Sequence, residues 1–162
     1  MLAQLNSKLT GYYHICKSSG ENKAFAQFRG SYVAEFPFIA NKSLDNEFEH
    51  AVIAIRAGHR ALHEAEAKAG RLVRAELGLA APLTGKLALA QPWKTWSAAL
   101  EKALGRKLTL SEKSTWLDYL TQHQEQQQER RAALQAQDTA LDQLVYQLYQ
   151  LTPEEIALVE GR

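Results

Sequence analysis

The sequence predicts a mainly α-helical chain built on two long antiparallel helices with coiled-coil-like packing. Three observations carry this expectation. Apolar and alanine positions recur every three or four residues between Leu44 and Leu77, as they do on one face of a helix. Leu134, Leu141 and Leu148 repeat at intervals of seven, the spacing of a coiled-coil seam. The stretch between these two runs, residues 79–110, is punctuated by Pro82 and Pro92 and is suited to return the chain in the opposite direction.

Taken in order, residues 1–15 read as a short amphipathic helix with Leu2, Leu5 and Leu9 at helical spacing, bent or ended near Gly11. Residues 16–24 have loop composition. The aromatic-rich stretch 25–39 reads as a strand followed by a short helix, closed by Pro37. The first long helix follows, with Phe48, Val52, Ile55, His59, Leu62, Ala69, Val73 and Leu77 along its seam and Gly78 as its C-terminal cap. A helix over 93–104 places Trp93, Trp96, Leu100 and Leu104 on one side and ends at Gly105. The second long helix runs from about 111 to 149, started by Thr109 or Ser111 with Glu112 in its first turn. Its early turns are expected to bury Trp116, Leu117 and Leu120, while 121–133 carry no large apolar residue and are expected to face solvent on most sides. A final short helix over 153–160 has a capping box, with Thr152 as cap, Pro153 at the first helical position and Glu155 three residues beyond the cap.

A chain of 162 residues with 46% hydrophobic content allows one domain or two small subdomains around a real core. The net charge of +1 gives no global case for nucleic acid. Residues 1–42 hold five bases against two acids, and 91–162 hold eight against ten, so a phosphate-facing surface is expected near the N-terminus. Cys16 is the only cysteine, which excludes an intrachain disulfide and a thiolate cluster and makes a reducing cytoplasm the expected setting. No run approaches membrane-spanning length, and the N-terminus lacks the order of a signal peptide, so no membrane partner is expected.

Few residues suggest chemistry. His59 and His63 stand four apart, as two metal ligands on a helix do, but no general-base glutamate lies between them. A pair of partly buried helix histidines is the plainer reading, and no metal site is expected. Cys16 reads as a small buried hydrophobe rather than a nucleophile, and Glu154 and Glu155 as partners of a helix dipole. Lys17, Ser18, Ser19, Asn22, Lys23, Gln27 and Arg29 are of types that neutralise phosphates or read base edges, with an ordinary polar loop as the alternative. Arg130 and Arg131 add a small basic spot on the second long helix. Phe25, Phe28, Tyr32, Phe36 and Phe38 read as core aromatics. Gln124, Gln126, Gln127 and Gln128 form either a contact ladder or a solvated surface.

The run Asp142-Gln143-Leu144-Val145-Tyr146-Gln147-Leu148-Tyr149-Gln150-Leu151-Thr152-Pro153-Glu154-Glu155-Ile156, ending in Val159-Glu160, carries a resemblance. It is similar to the C-terminal end of adenine-specific DNA methyltransferases of type II restriction–modification systems, including fused type IIG enzymes. Leu5-Asn6-Ser7-Lys8-Leu9 with Tyr12-Tyr13 resembles a helix late in TaqI-like specificity domains. The order of Gly20 to Arg29 and then Val33 to Phe38 fits that family as well, with a thinner glycine cluster and Phe36-Pro37-Phe38 for the commoner Leu-Pro-Ile. The run from Leu108 to Tyr119 resembles one of its helix starts.

The resemblance implies that residues 1–40 are the end of a target-recognition domain, a small remnant of a mixed α/β specificity domain. Residues 41–162 would be a helical spacer or clamp. Double-stranded DNA and a catalytic methyltransferase domain or subunit are the implied partners, and S-adenosylmethionine the implied cofactor of the parent enzyme, bound elsewhere. No Asn-Pro-Pro, no Phe-x-Gly-x-Gly and no Pro-Asp-x-Glu-x-Lys pattern occurs, so no catalytic residue and no cofactor site is expected in this chain. It reads as a fragment, a split subunit or a truncated reading frame. A helical protein–protein docking module that completes a separate catalytic subunit is the alternative.

Overall fold

The computed structural model describes residues 2–18, 34–79 and 82–161. Among them the chain is mainly helical, with six α-helices and no strand. These are α1 (Leu2–Leu5), α2 (Lys8–Ser18), α3 (Asp45–Leu77), α4 (Trp93–Leu104), α5 (Leu110–Leu148) and α6 (Pro153–Val159), with a 3-10 turn at Gly85–Leu87. The chain divides into two compact units, one formed by Met1–Arg56 with Gln135–Arg162 and the other by Ala57–Leu134.

The first unit is organised by polar side chains as much as by apolar ones. The α1–α2 corner falls at Asn6 and Ser7 rather than at Gly11, through which α2 continues. Ser7 explains the corner: its hydroxyl donates to the Gln4 carbonyl at 2.7 Å and accepts from the Thr10 amide at 3.4 Å, as a helix N-cap does. Thr10 Oγ1 also donates to the Gln4 carbonyl. A second partner reaches the start of α2 from α5. The Lys8 amide donates to Asp142 Oδ1 at 2.9 Å, which places a buried carboxylate at the positive end of the helix.

Gln4 works as a clamp on the extended segment that follows Phe36. Its Nε2 donates to the Ile39 carbonyl at 2.7 Å, and its Oε1 accepts from the Ile39 amide at 3.2 Å. The Tyr149 hydroxyl lies 2.8 Å from Gln4 Oε1 and 2.9 Å from the Pro37 carbonyl, tying the end of α5 to the same segment. Phe36 is buried between Tyr13, Phe38 and Tyr149, with ring centroids 5.3, 5.0 and 5.8 Å away. Leu141, Val145, Tyr146 and Leu148 supply the apolar side of the unit.

Helix α5 ends in a left-handed turn. The Leu151 amide bonds the Tyr146 carbonyl at 3.0 Å and the Gln150 amide bonds the Gln147 carbonyl at 3.1 Å, with Gln150 at φ 53°. A side chain in this conformation carries steric strain that glycine does not. Gln150→Gly is therefore expected to raise stability by about 0.5–1 kcal/mol in urea unfolding; a loss of stability would contradict the strain. Thr152 then opens α6 with a complete capping box: Thr152 Oγ1 accepts from the Glu155 amide at 3.3 Å, and Glu155 Oε2 accepts from the Thr152 amide at 2.8 Å.

The second unit has the larger apolar core: Ala69, Val73, Leu89, Trp96, Leu100, Leu108 and Leu120. Trp96 is completely buried, and its Nε1 donates to the Leu87 carbonyl at 3.0 Å. Two glycines end helices here because both positions require positive φ: Gly78 at 62° closes α3 and Gly105 at 66° closes α4. Thr109 is the cap of α5. Its amide donates to Glu112 Oε2 at 2.8 Å, and its hydroxyl accepts from the Glu112 amide at 3.3 Å.

The α4–α5 connection is held by charge. Glu101 accepts from Lys107 Nζ at 2.9 Å and from the Leu108 amide at 3.2 Å, with Lys113 Nζ at 3.2 Å. Arg106 makes a two-pronged contact with Glu112 at 3.0 and 2.7 Å. Lys107 before all others, then the Leu108 amide and Lys113, bring the Glu101 pKa down to about 2. Arg106 first, then Thr109, do the same for Glu112. Both pKa values are depressed on folding, so the stabilisation is present above the ordinary carboxylate range and is lost as pH falls through it towards 2. The urea midpoint is expected to fall between pH 4.5 and 2, and Glu101→Gln with Glu112→Gln to flatten that fall. An unchanged profile in the double variant would contradict it.

Three expectations are corrected. Cys16 to Ser18 are helical rather than loop, and Cys16 is exposed rather than buried. Leu117, expected to be buried with Trp116 and Leu120, is 39% exposed, while residues 121–133 face solvent on most sides as expected, with the heptad stripe of Leu120 and Leu134 continuing on the remaining side. Gln127 is buried, and Gln124 Nε2 donates to the Leu89 and Gln91 carbonyls at 2.8 and 2.9 Å. Gln126 and Gln128 remain exposed. Of the expected core aromatics Phe36 is buried and Phe38 is 37% exposed, while Phe25, Phe28 and Tyr32, with most of the expected strand, lie outside the described residues.

Candidate nucleic-acid interface

A surface that holds a polyanion needs unpaired cations on the outside of a rigid element. Of the N-terminal candidates, Lys17 and Ser18 fall among the described residues. Lys17 is exposed at the end of α2, but its Nζ lies 3.2 Å from Glu35 Oε2 and 5.6 Å from the Tyr13 ring centre. The Glu35 contact, then the Tyr13 and Glu35 charges, raise its pKa. Ser18 closes α2. Ser19, Asn22, Lys23, Gln27 and Arg29 lie outside the described residues. The unit that contains this segment also contains the acid-rich C-terminus. Together they hold seven Lys and Arg against ten Asp and Glu, a net −3.

The positive excess is in the other unit. Ala57–Leu134 holds twelve Lys and Arg against eight Asp and Glu, a net +4. Glu101 and Glu112 occupy Arg106, Lys107 and Lys113. Arg60, Lys68, Arg71, Arg130 and Arg131 are exposed and make no ion pair among the described residues.

Helical geometry arranges part of this charge. On α3, Arg60, His63, Ala67 and Arg71 follow at steps of three and four, which places them along one line about 17 Å long. Leu62, Ala69 and Val73 occupy the opposite side, where Ala69 and Val73 are buried. His59 flanks the line. Glu64 is the acid on this face, followed by Lys68 one turn later. On α5, Arg130 and Arg131 flank the buried stripe of Gln127 and Leu134, while Glu125 and Glu129 fall on the far side of the helix. The α3 cations were missed in the sequence because the helix was read for its apolar seam. The available signal was the run from His50 to His63, which carries Arg56 and Arg60 and no acid.

His59 and His63 are exposed, and no group of three or more metal-binding side chains occurs among the described residues. No helix among them is long and apolar enough to cross a membrane. The arrangement offers phosphate-binding charge on solvent-facing helix surfaces.

No curated protein and no solved structure matches the chain. The family model described as Domain of unknown function (DUF8810) matches residues 41–145, from just before α3 to near the end of α5, and the chain belongs to that family.

Proposed function

We propose that the chain is a DNA-binding helical spacer of a restriction–modification adenine-N6 DNA methyltransferase, or of its fused restriction form. It contributes to DNA recognition, with residues 57–134 supplying phosphate contacts rather than sequence readout, and positions a catalytic core, with its S-adenosylmethionine site, supplied elsewhere in the cytoplasm. In this reading α3 and α5 serve as antiparallel coiled-coil-like arms, and residues 1–40 close a specificity domain. The observation that supports it most is the segregation of charge, +4 on residues 57–134 against −3 on the rest, with unpaired arginines on exposed helix faces. Phosphate contacts give affinity without sequence information. A spacer needs no more than that.

The test is a comparison of two charge-reversed variants by fluorescence anisotropy on duplex DNA at low salt. Arg60→Glu with Arg71→Glu is expected to weaken binding at least tenfold, and Lys17→Glu to change it little because Lys17 is already paired. Equal affinity in the first variant and the wild type would remove the α3 surface from the account.

The second reading is a docking module for a separate catalytic subunit. It is favoured by the first unit, where Leu2, Phe38, Ile39 and Ile53 are exposed around a groove also lined by Phe48 and Val52. A stable complex with a methyltransferase subunit, without DNA affinity in this chain, would select it.

A further inference from the structure

The buried stripe of α5 contains one residue that breaks its own pattern. Leu120, Gln127, Leu134, Leu141 and Leu148 stand seven apart, and all five are buried. Four are leucine. At the remaining position a glutamine is 8% exposed, and among the described residues neither its Nε2 nor its Oε1 has a hydrogen-bond partner. A leucine there would satisfy the helix, the heptad and the burial together. An unpaired buried amide is costly, because the group has given up its water without replacement. Nothing in the helix geometry asks for that cost.

The same glutamine borders a cavity of 270 Å³ within the second unit, lined also by Glu66, Leu89, His123 and Arg131. The cavity is too small for a helix and is of fragment size by the usual range of ligand pockets. One wall is flat. The His123 ring stacks on Tyr119 with 5° between their planes, 6.4 Å apart. Another wall is the apolar side chain of Leu89. The Gln127 carboxamide is buried in a residue that lines the cavity, and its three side-chain torsions allow it to turn outward.

We propose that this cavity binds a small planar heterocycle with an amide-type edge, a donor beside an acceptor, as nucleobases present. Gln127 would pair with that edge through Nε2 and Oε1, since a carboxamide matches an adjacent donor and acceptor in two parallel hydrogen bonds. The flat wall and Leu89 would hold the ring. A second copy of the chain is a poor occupant, because the glutamine is already covered by its own unit. The inference does not rest on DNA binding through the basic faces, and either can fail without the other.

The experiment is a titration of the 15N-labelled full chain, followed through side-chain amide and imidazole resonances. The probes are adenine, uracil and their mononucleotides, with toluene as an apolar control. Saturable shifts at Gln127 and His123 with a free base, absent with toluene, are expected. A matching affinity for the mononucleotide identifies a nucleotide as an acceptable source; at least tenfold weaker binding restricts the site to free bases. Gln127→Leu is expected to weaken binding at least tenfold and to raise the Tm, while Gln126→Leu on the exposed face leaves binding unchanged. No saturable shift with either base, or equal binding by Gln127→Leu, overturns the proposal. A lowered Tm in Gln127→Leu also overturns it, since the amide would then have a structural partner.

Discussion

Trp96→Ala is expected to unfold the second unit under conditions in which the wild type is stable, with a loss of about 3–5 kcal/mol. Trp96 is completely buried, and its ring lies 6.0 Å from Trp93 and 5.8 Å from Trp116. Its removal opens a cavity between α4 and α5 and leaves the Leu87 carbonyl without its donor at 3.0 Å. Those two consequences have different sizes. Trp96→Phe keeps most of the volume and loses the hydrogen bond, so it is expected to cost about 1–2 kcal/mol. Urea unfolding followed by far-UV circular dichroism distinguishes them. A loss below about 1 kcal/mol for the alanine variant would place Trp96 outside the core.

Asp142→Ala is expected to be the most damaging polar substitution in the first unit, at about 2–3 kcal/mol. The carboxylate is 5% exposed and joins the last turns of α5 to the start of α2 across the whole length of the sequence. One oxygen takes the Lys8 amide at 2.9 Å, and the other lies 3.5 Å from Lys8 Nζ. The amide bond matters more than the ion pair. The Lys8 side chain is 43% exposed and solvent screens its charge, so Lys8→Ala is expected to cost less than about 1 kcal/mol. Equal losses in the two variants, measured in the same denaturation series, would show that the ion pair carries the contact instead.

The helices were legible where local chemistry decides them. Gly78 and Gly105 each mark a turn with positive φ, and Thr152 stands three residues before Glu155, so these boundaries followed from single residues, whereas Thr109 and Ser111 both remained open as the start of α5 until the contacts with Glu112 selected Thr109. The seven-residue spacing of Leu134, Leu141 and Leu148 likewise pointed to a buried stripe. Gln4, Asp142 and the placement of charge were not legible because they depend on partners far away in sequence. Gln4 and Asp142 are polar and are buried because Ile39, Tyr149 and Lys8 meet them after folding. Gly11 stays helical because the corner was already made by Ser7. The N-terminal segment is basic in the sequence, but it belongs to the same unit as the acidic C-terminus, and the excess of cations falls on residues 57–134. Reading α3 for cations as well as for its seam would have recovered Arg60 and Arg71.

The most direct measurement is the salt dependence of binding by the intact chain to random-sequence duplex DNA. The unpaired cations of α3 and α5 act together in this account, so the logarithm of affinity is expected to fall linearly with the logarithm of salt, with a slope of about −4 to −5. Neutralising Arg60, Arg71, Arg130 and Arg131 together should bring that slope to about −1, the share left to Lys68. No binding at low salt, or a slope unchanged by the fourfold variant, would contradict a DNA-binding role for these helices.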